Sequence, residues 1–130
     1  MTTDKDDLSR AYTEYIACLN RQDWRRLHLH VAEDVTYNGR PVGLAGYRDM
    51  LISDFSAIPD LAFAVRRLVC DPPVVACILA FDCTPTGMLF DLPVNGTQVR
   101  FDEHVFYEYE GARIRHVRSL IDKAAIAAQI

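Results

Sequence analysis

Apolar residues recur three and four positions apart from Leu8 through Ala11, Tyr12, Tyr15, Ile16 and Leu19, the spacing of one buried helix face. Thr3 with Asp6 three residues on reads as a capping box at its start. Asp23 is placed to cap a short second helix, from 24 to about 31, that buries Trp24, Leu27 and Val31. After the turn-forming string Asn38-Gly39-Arg40-Pro41, a third helix from about 44 to 57 carries Tyr47, Leu51, Phe55 and Ile58 on one stripe, and Pro59 stops it. Three helices are thus predicted before any long strand.

The period then changes. Runs 61–70 and 74–83 are rich in β-branched and aromatic residues and are joined by Asp71-Pro72-Pro73, a turn signal. A proline- and glycine-bearing stretch, 84–96, precedes a strand at 97–109, a turn at Glu110-Gly111, a strand at 112–121 and a short helix at 122–129. Helices followed by a mostly antiparallel sheet predict an α+β domain spanning 1–130.

The last hairpin carries the candidate chemistry. With Glu110-Gly111 as a two-residue loop, Tyr109 faces Ala112, and alternation defines two faces. One gathers Val99, Phe101, Glu103, Val105, Tyr107 and Tyr109 against Ala112, Ile114, His116, Arg118, Leu120 and Asp122. The other holds Arg100, Asp102, His104, Glu108, Arg113 and Arg115, a solvated or intersubunit surface. In this register Glu103 lies across from Arg118. Burying an unpaired ion costs several kcal/mol, so Glu103, His116, Arg118 and Asp122 on an apolar face call for partners or a wet cavity.

Each of these residues has two readings. Asp122, where strand becomes helix, is either an N-cap or a partly desolvated general base or acid, a role worth about 10²–10⁴ in rate. Glu103 and Arg118 form a cross-strand ion pair or contact a substrate, and His116 is a half-buried histidine or a catalytic group. Trp24, Tyr37 and Phe55 are core or pocket-wall aromatics, and Asp82 faces either the pocket or solvent. Asn20, at the end of the first helix, reads as a cap.

Composition narrows the classes. Of 130 residues half are apolar and a quarter charged, the ordinary globular mix. A formal charge of −4 argues against nucleic-acid and anionic-membrane partners. The start, MTTDKDDLSR, is acidic and unlike a secretory signal, and no apolar run is long enough to span a bilayer, so a cytoplasmic location is expected. Cys18, Cys70, Cys77 and Cys83 form no C-x-x-C and read as buried free thiols. His28 and His30 would point about 200° apart on a helix and cannot share an ion, so no metal is expected.

Several strings, in order, resemble the SnoaL-like polyketide cyclase, or ester cyclase, group of the nuclear transport factor 2-like superfamily. They are Asn20-Arg21-Gln22-Asp23-Trp24, Gly46-Tyr47, Ile58-Pro59-Asp60-Leu61, Pro85-Thr86-Gly87, Leu92-Pro93-Val94-Asn95-Gly96 and the tail from Ile114 through Asp122 to Gln129. The resemblance implies a cone-shaped α+β barrel with a pocket inside, a homodimer through the sheet, and an intramolecular aldol cyclisation without metal or organic cofactor. It also implies that Asp122 takes and returns the proton. His116 and Arg118 stand where many relatives carry glutamate and tryptophan, and the segment Asp82-Cys83-Thr84 lacks a histidine that some relatives have. The expected activity is acid/base chemistry on a small, carbonyl-bearing, apolar molecule, with Asp122 as base, Arg118 or His116 beside the enolate oxygen, and Glu103 holding Arg118. Isomerisation, dehydration and non-catalytic binding are the alternatives the same pocket would serve.

Overall fold

The computed structural model describes residues 4–130, so Thr3 and its capping box lie outside the described residues. Helix α1 (Lys5–Asn20) is capped by Asp4, whose carboxylate accepts from the Asp7 amide at 2.8 Å. It buries Leu8, Tyr12, Tyr15, Ile16 and Leu19, the stripe the periodicity predicts, together with Cys18.

The second helix is shorter and tighter than its pattern suggests. A 3₁₀ segment, Trp24–Leu29, ends before Val31, which instead opens strand β1 (Val31–Tyr37). Val31, Val35, Thr36 and Tyr37 suit a pleated surface, and both valines are fully buried. A strand therefore precedes the third helical segment, which corrects the expected run of three helices. Helix α2 (Gly43–Ala57) follows and buries Leu44, Tyr47 and Leu51.

The remaining strands are β2 (Ala64–Asp71), β3 (Val74–Cys83), the small hairpin β4 (Met88–Leu89) and β5 (Leu92–Pro93), then β6 (Val99–Glu110) and β7 (Arg113–Ile121). A short helix α3 (Lys123–Ala127) ends the ordered elements. The main sheet runs β1-β7-β6-β3-β2, antiparallel except where β1 lies parallel to β7. This is the α+β arrangement expected, helices packed on a curled, mostly antiparallel sheet. The inner face of β3 supplies Val75, Cys77, Leu79 and Phe81, and that of β6 supplies Phe101, Val105, Tyr107 and Tyr109. Tyr12 and Tyr15 of α1 pack against Tyr107 with ring centroids 5.0 and 5.8 Å away, and the Tyr15 and Tyr47 hydroxyls meet at 2.7 Å. Cys18, Cys77 and Cys83 are buried, Cys70 is half-buried, and all four are free. Among the described residues no helix is long and apolar enough to cross a membrane.

The last hairpin departs from its expected register in two steps. Its loop is Gly111-Ala112, so Glu110 pairs with Arg113 and Tyr109 with Ile114. A bulge then leaves Arg115 without a partner, and Glu108 pairs with His116, Phe106 with Arg118 and Glu103 with Ile121. One extra residue exchanges the two faces of a strand from that point on. Val117 thus turns inward with Ser119 and Ile121, whereas His116, Arg118, Leu120 and Asp122 turn outward.

Candidate active site

A cavity of about 600 Å³ opens between α2 and the inner face of the sheet, a volume that suits a small organic ligand. Aromatic and aliphatic walls come from Phe63, Phe81, Phe90 and Phe101 with Met50, Ile58, Leu61 and Ile121. Its polar groups are Tyr37 and Asn38 at the end of β1, Asp54 of α2, Glu103 of β6, Ser119 of β7 and Lys123 at the start of α3. Asp54 stands seven residues after Tyr47, two helical turns, and so shares its face of α2. Glu103 shares the inward parity of Phe101 and Val105.

The two carboxyls are poorly solvated. Burial alone pushes the Asp54 carboxyl up to about 6, and among the described residues no side-chain hydrogen bond opposes the rise. Burial also raises Glu103, and the Asp54 charge adds to the rise, while the Ser119 hydroxyl, donating to Glu103 Oε2, opposes it. Ser119 is fixed in turn: its amide donates to Asn38 Oδ1 at 2.8 Å, and Asn38 Nδ2 donates to the Ser119 carbonyl at 3.3 Å. Burial raises the Tyr37 phenol, which therefore remains a hydroxyl donor at ordinary pH. The cavity thus presents a carboxyl balanced near neutrality, a second one held by a hydroxyl, and a phenol, all against an apolar wall.

Of the residues singled out in the sequence, Glu103 and Tyr37 line this cavity. The expected facing of Glu103 and Arg118 is corrected by the bulge: Arg118 is exposed on the outer side, near Gly39. His116 also lies on that side, its Nδ1 2.7 Å from Thr36 Oγ1, in a shallow hollow with Phe106, Glu108 and Arg118. Asp122 is exposed and accepts from the Ala125 amide at 3.1 Å, the cap its position predicts; it borders an outer groove with Arg66, Arg100 and Asp102. Asp82 is exposed in the same groove and accepts from Gln98 Nε2 at 2.7 Å and Arg100 Nε at 3.1 Å. Trp24 and Phe55 pack edge to face at 5.7 Å, and Phe55 backs Phe63, whose far side reaches the cavity. Asn20 clamps the Phe63 backbone, accepting from its amide at 2.7 Å and donating to its carbonyl at 2.9 Å.

Asn38, Asp54, Ser119 and Lys123 are the polar cavity groups the sequence reading missed. The signal for Asp54 was present: a carboxylate on the stripe of Tyr47, Leu51 and Ile58. Ser119 and Lys123 could be placed only with the bulge known. Among the described residues no three metal-ligating side chains converge.

Comparison with known proteins agrees with the architecture. A family profile described as SnoaL-like polyketide cyclase matches residues 9–130. The crystal structure of a SnoaL-like polyketide cyclase from Agrobacterium tumefaciens is 49% identical, covers 98% of each chain and superposes with a TM-score of 0.92. TsrD from Streptomyces laurentii (17% identity, 98% of this chain and 96% of that one, TM-score 0.84) shares the fold. So does IdmH from Streptomyces antibioticus (17%, 93% and 96%, TM-score 0.80). Among curated proteins none matches the chain.

Proposed function

We infer that this chain, which belongs to the SnoaL-like polyketide cyclase family, is an acid/base enzyme that needs no cofactor and acts on a small carbonyl-bearing apolar molecule. The observation that carries this reading is the pair of desolvated carboxyls, Asp54 and Glu103, in an aromatic-walled cavity. Asp54, with no internal partner to displace, takes a proton from the carbon next to the carbonyl. The Tyr37 hydroxyl donates to the oxygen on which charge develops, and Ser119 orients Glu103 beside it. An enolate formed in this way closes a ring by attack on a second carbonyl of the same molecule, the intramolecular aldol step, and the alkoxide that results takes the proton back from Asp54, which restores the base. The same proton transfer also serves isomerisation or dehydration.

A second reading gives the base to Asp122, which matches the family aspartate. What favours it is position: Ile121 and Lys123 on either side of it both reach the cavity. Release of the Ala125 amide would free its carboxylate to turn. A panel of β-diketones in D₂O separates the readings, because abstraction of the activated proton appears by NMR as deuterium exchange even when no product forms. Exchange accelerated by the wild type, slowed about 10²-fold or more by Asp54→Asn and retained by Asp122→Asn is the expected result. The reverse pattern transfers the role to Asp122, and no acceleration of any diketone leaves a binding module.

The same reading includes a homodimer formed through the outer sheet face, where Phe106 (59%), Leu120 (72%) and Val69 (53%) stand exposed. Sedimentation velocity at micromolar concentration is expected to give a dimer; a monomer would remove this element and leave the cavity chemistry intact.

A further inference from the structure

We propose that Lys123 is a specificity-determining residue at the cavity rim, selecting ligands that carry an anionic group on a planar aromatic body. This rests on the cavity being the ligand site and adds the class and orientation of what enters it. The cavity is electrically lopsided. Its carboxyls, Asp54 and Glu103, are half-buried, whereas Lys123 is exposed and is the one basic side chain among the described residues that line it.

Lys123 also stands without an ion-pair partner among the described residues, in contrast to the cations of the neighbouring outer groove. There Arg66 meets Asp102 at 3.3 Å and Arg100 meets Asp82 at 3.1 Å. The adjoining carboxylate, Asp122, is engaged by the Ala125 amide of its own helix.

Next to the ammonium is an aromatic surface. Lys123 Nζ lies 5.8 Å from the centroid of the Phe90 ring, and Phe90 meets Phe101 edge to face at 6.3 Å. Phe101 in turn stacks on Phe81 at 5.2 Å. A flat ring system lying along Phe90 and Phe101 brings a substituent at its outer end to Lys123. An anion at the inner end would meet two carboxyls and lose its water, but at the rim it meets a cation and keeps part of its hydration. The polarity therefore sets direction: carbonyl end inward to Asp54, Glu103 and Tyr37, anionic end outward to Lys123.

Two fluorescent dyes with a shared aromatic body test this on the full chain: anilinonaphthalene sulfonate and its uncharged parent, N-phenylnaphthylamine. Lys123→Met is expected to weaken the sulfonate roughly 3- to 10-fold while the neutral dye stays within about twofold, and Lys123→Arg is expected to restore the sulfonate. Leu61→Trp, which fills the cavity from its wall, is expected to weaken both dyes, and Phe106→Ser on the outer sheet face neither. Equal response of the two dyes to Lys123→Met, or loss of the sulfonate with Phe106→Ser, overturns the rim proposal. If the neutral dye still responds to Leu61→Trp in that case, the cavity remains the ligand site. If neither dye responds to Leu61→Trp, the cavity reading and the rim proposal fall together.

Discussion

Asp54→Asn is expected to lower kcat by about 10²–10⁴ with little change in KM, because it removes a proton acceptor and preserves size and polarity. The residue has two properties a general base needs. It faces the cavity without an internal hydrogen bond to break, and its carboxyl titrates at about 6, so it is mostly ionised yet still basic at neutral pH. Wild-type kcat/KM should accordingly rise as pH increases through about 6 and level off above it, and the variant should lack that ascending limb. A variant within tenfold of wild type across the profile would take the role away from Asp54.

The same substitution should stabilise the fold on the alkaline side. The folded state holds the Asp54 proton up to about pH 6, whereas the ordinary value is 3.8. Between these values the folded state binds more protons than the unfolded one, so stability falls as pH rises through the window and stays lower above it. The shift caps the effect at about 3 kcal/mol, and partial solvation of the group reduces it. Denaturant melts should therefore show Asp54→Asn gaining on wild type at pH 8 and matching it near pH 4. Glu103, raised by the same burial, leaves the variant a smaller decline of the same sign. Gain in stability with loss of turnover is the pairing expected of a group held ionised against its surroundings for function.

Much of the architecture is legible in the apolar pattern. The stripes of α1 and α2 appear at helical spacing, and β3 alternates cleanly from buried Val75 to buried Cys83, because one face of each element is covered and the other is not. Strand β1 escapes because Trp24, Leu27 and Val31 also satisfy a helical period, and only the packing of Val31 and Val35 against the sheet decides for the extended chain. Glu103 and Tyr37 are found at the cavity because β6 keeps its alternation throughout and β1 ends there. His116, Arg118 and Asp122 are misplaced for one reason: period-2 reasoning carries an error in register down the whole strand. The buried positions of β7, Ile114 and Val117, are three apart, an odd step that betrays an inserted residue.

Deleting Arg118 is expected to destabilise the protein by about 3–5 kcal/mol, a large share of the 5–15 typical of a domain, whereas deleting Arg115 should cost no more than about 1–2 kcal/mol. Arg115 is the unpaired member of the bulge, and its guanidinium points outward to Asp34 at 3.2 Å and to Glu110. Its removal joins Ile114, opposite Tyr109, directly to His116, opposite Glu108, so alternation becomes regular and no side chain changes face. Arg118 is instead a paired residue, opposite Phe106, and the strand has two ways to absorb its loss. If the part after the gap holds its place beside Asn38, buried Val117 turns outward and His116 turns in. If the part before the gap holds, Ser119 and Ile121 leave the inner face, and Leu120 and Asp122 take their places beside Glu103. The second response brings a further carboxyl inward, so the first sets the size of the effect. Urea melts of the two deletions should therefore separate widely, with the Arg115 deletion lying close to Arg115→Ala; two deletions equally damaging would mean that β6 and β7 pair without a bulge.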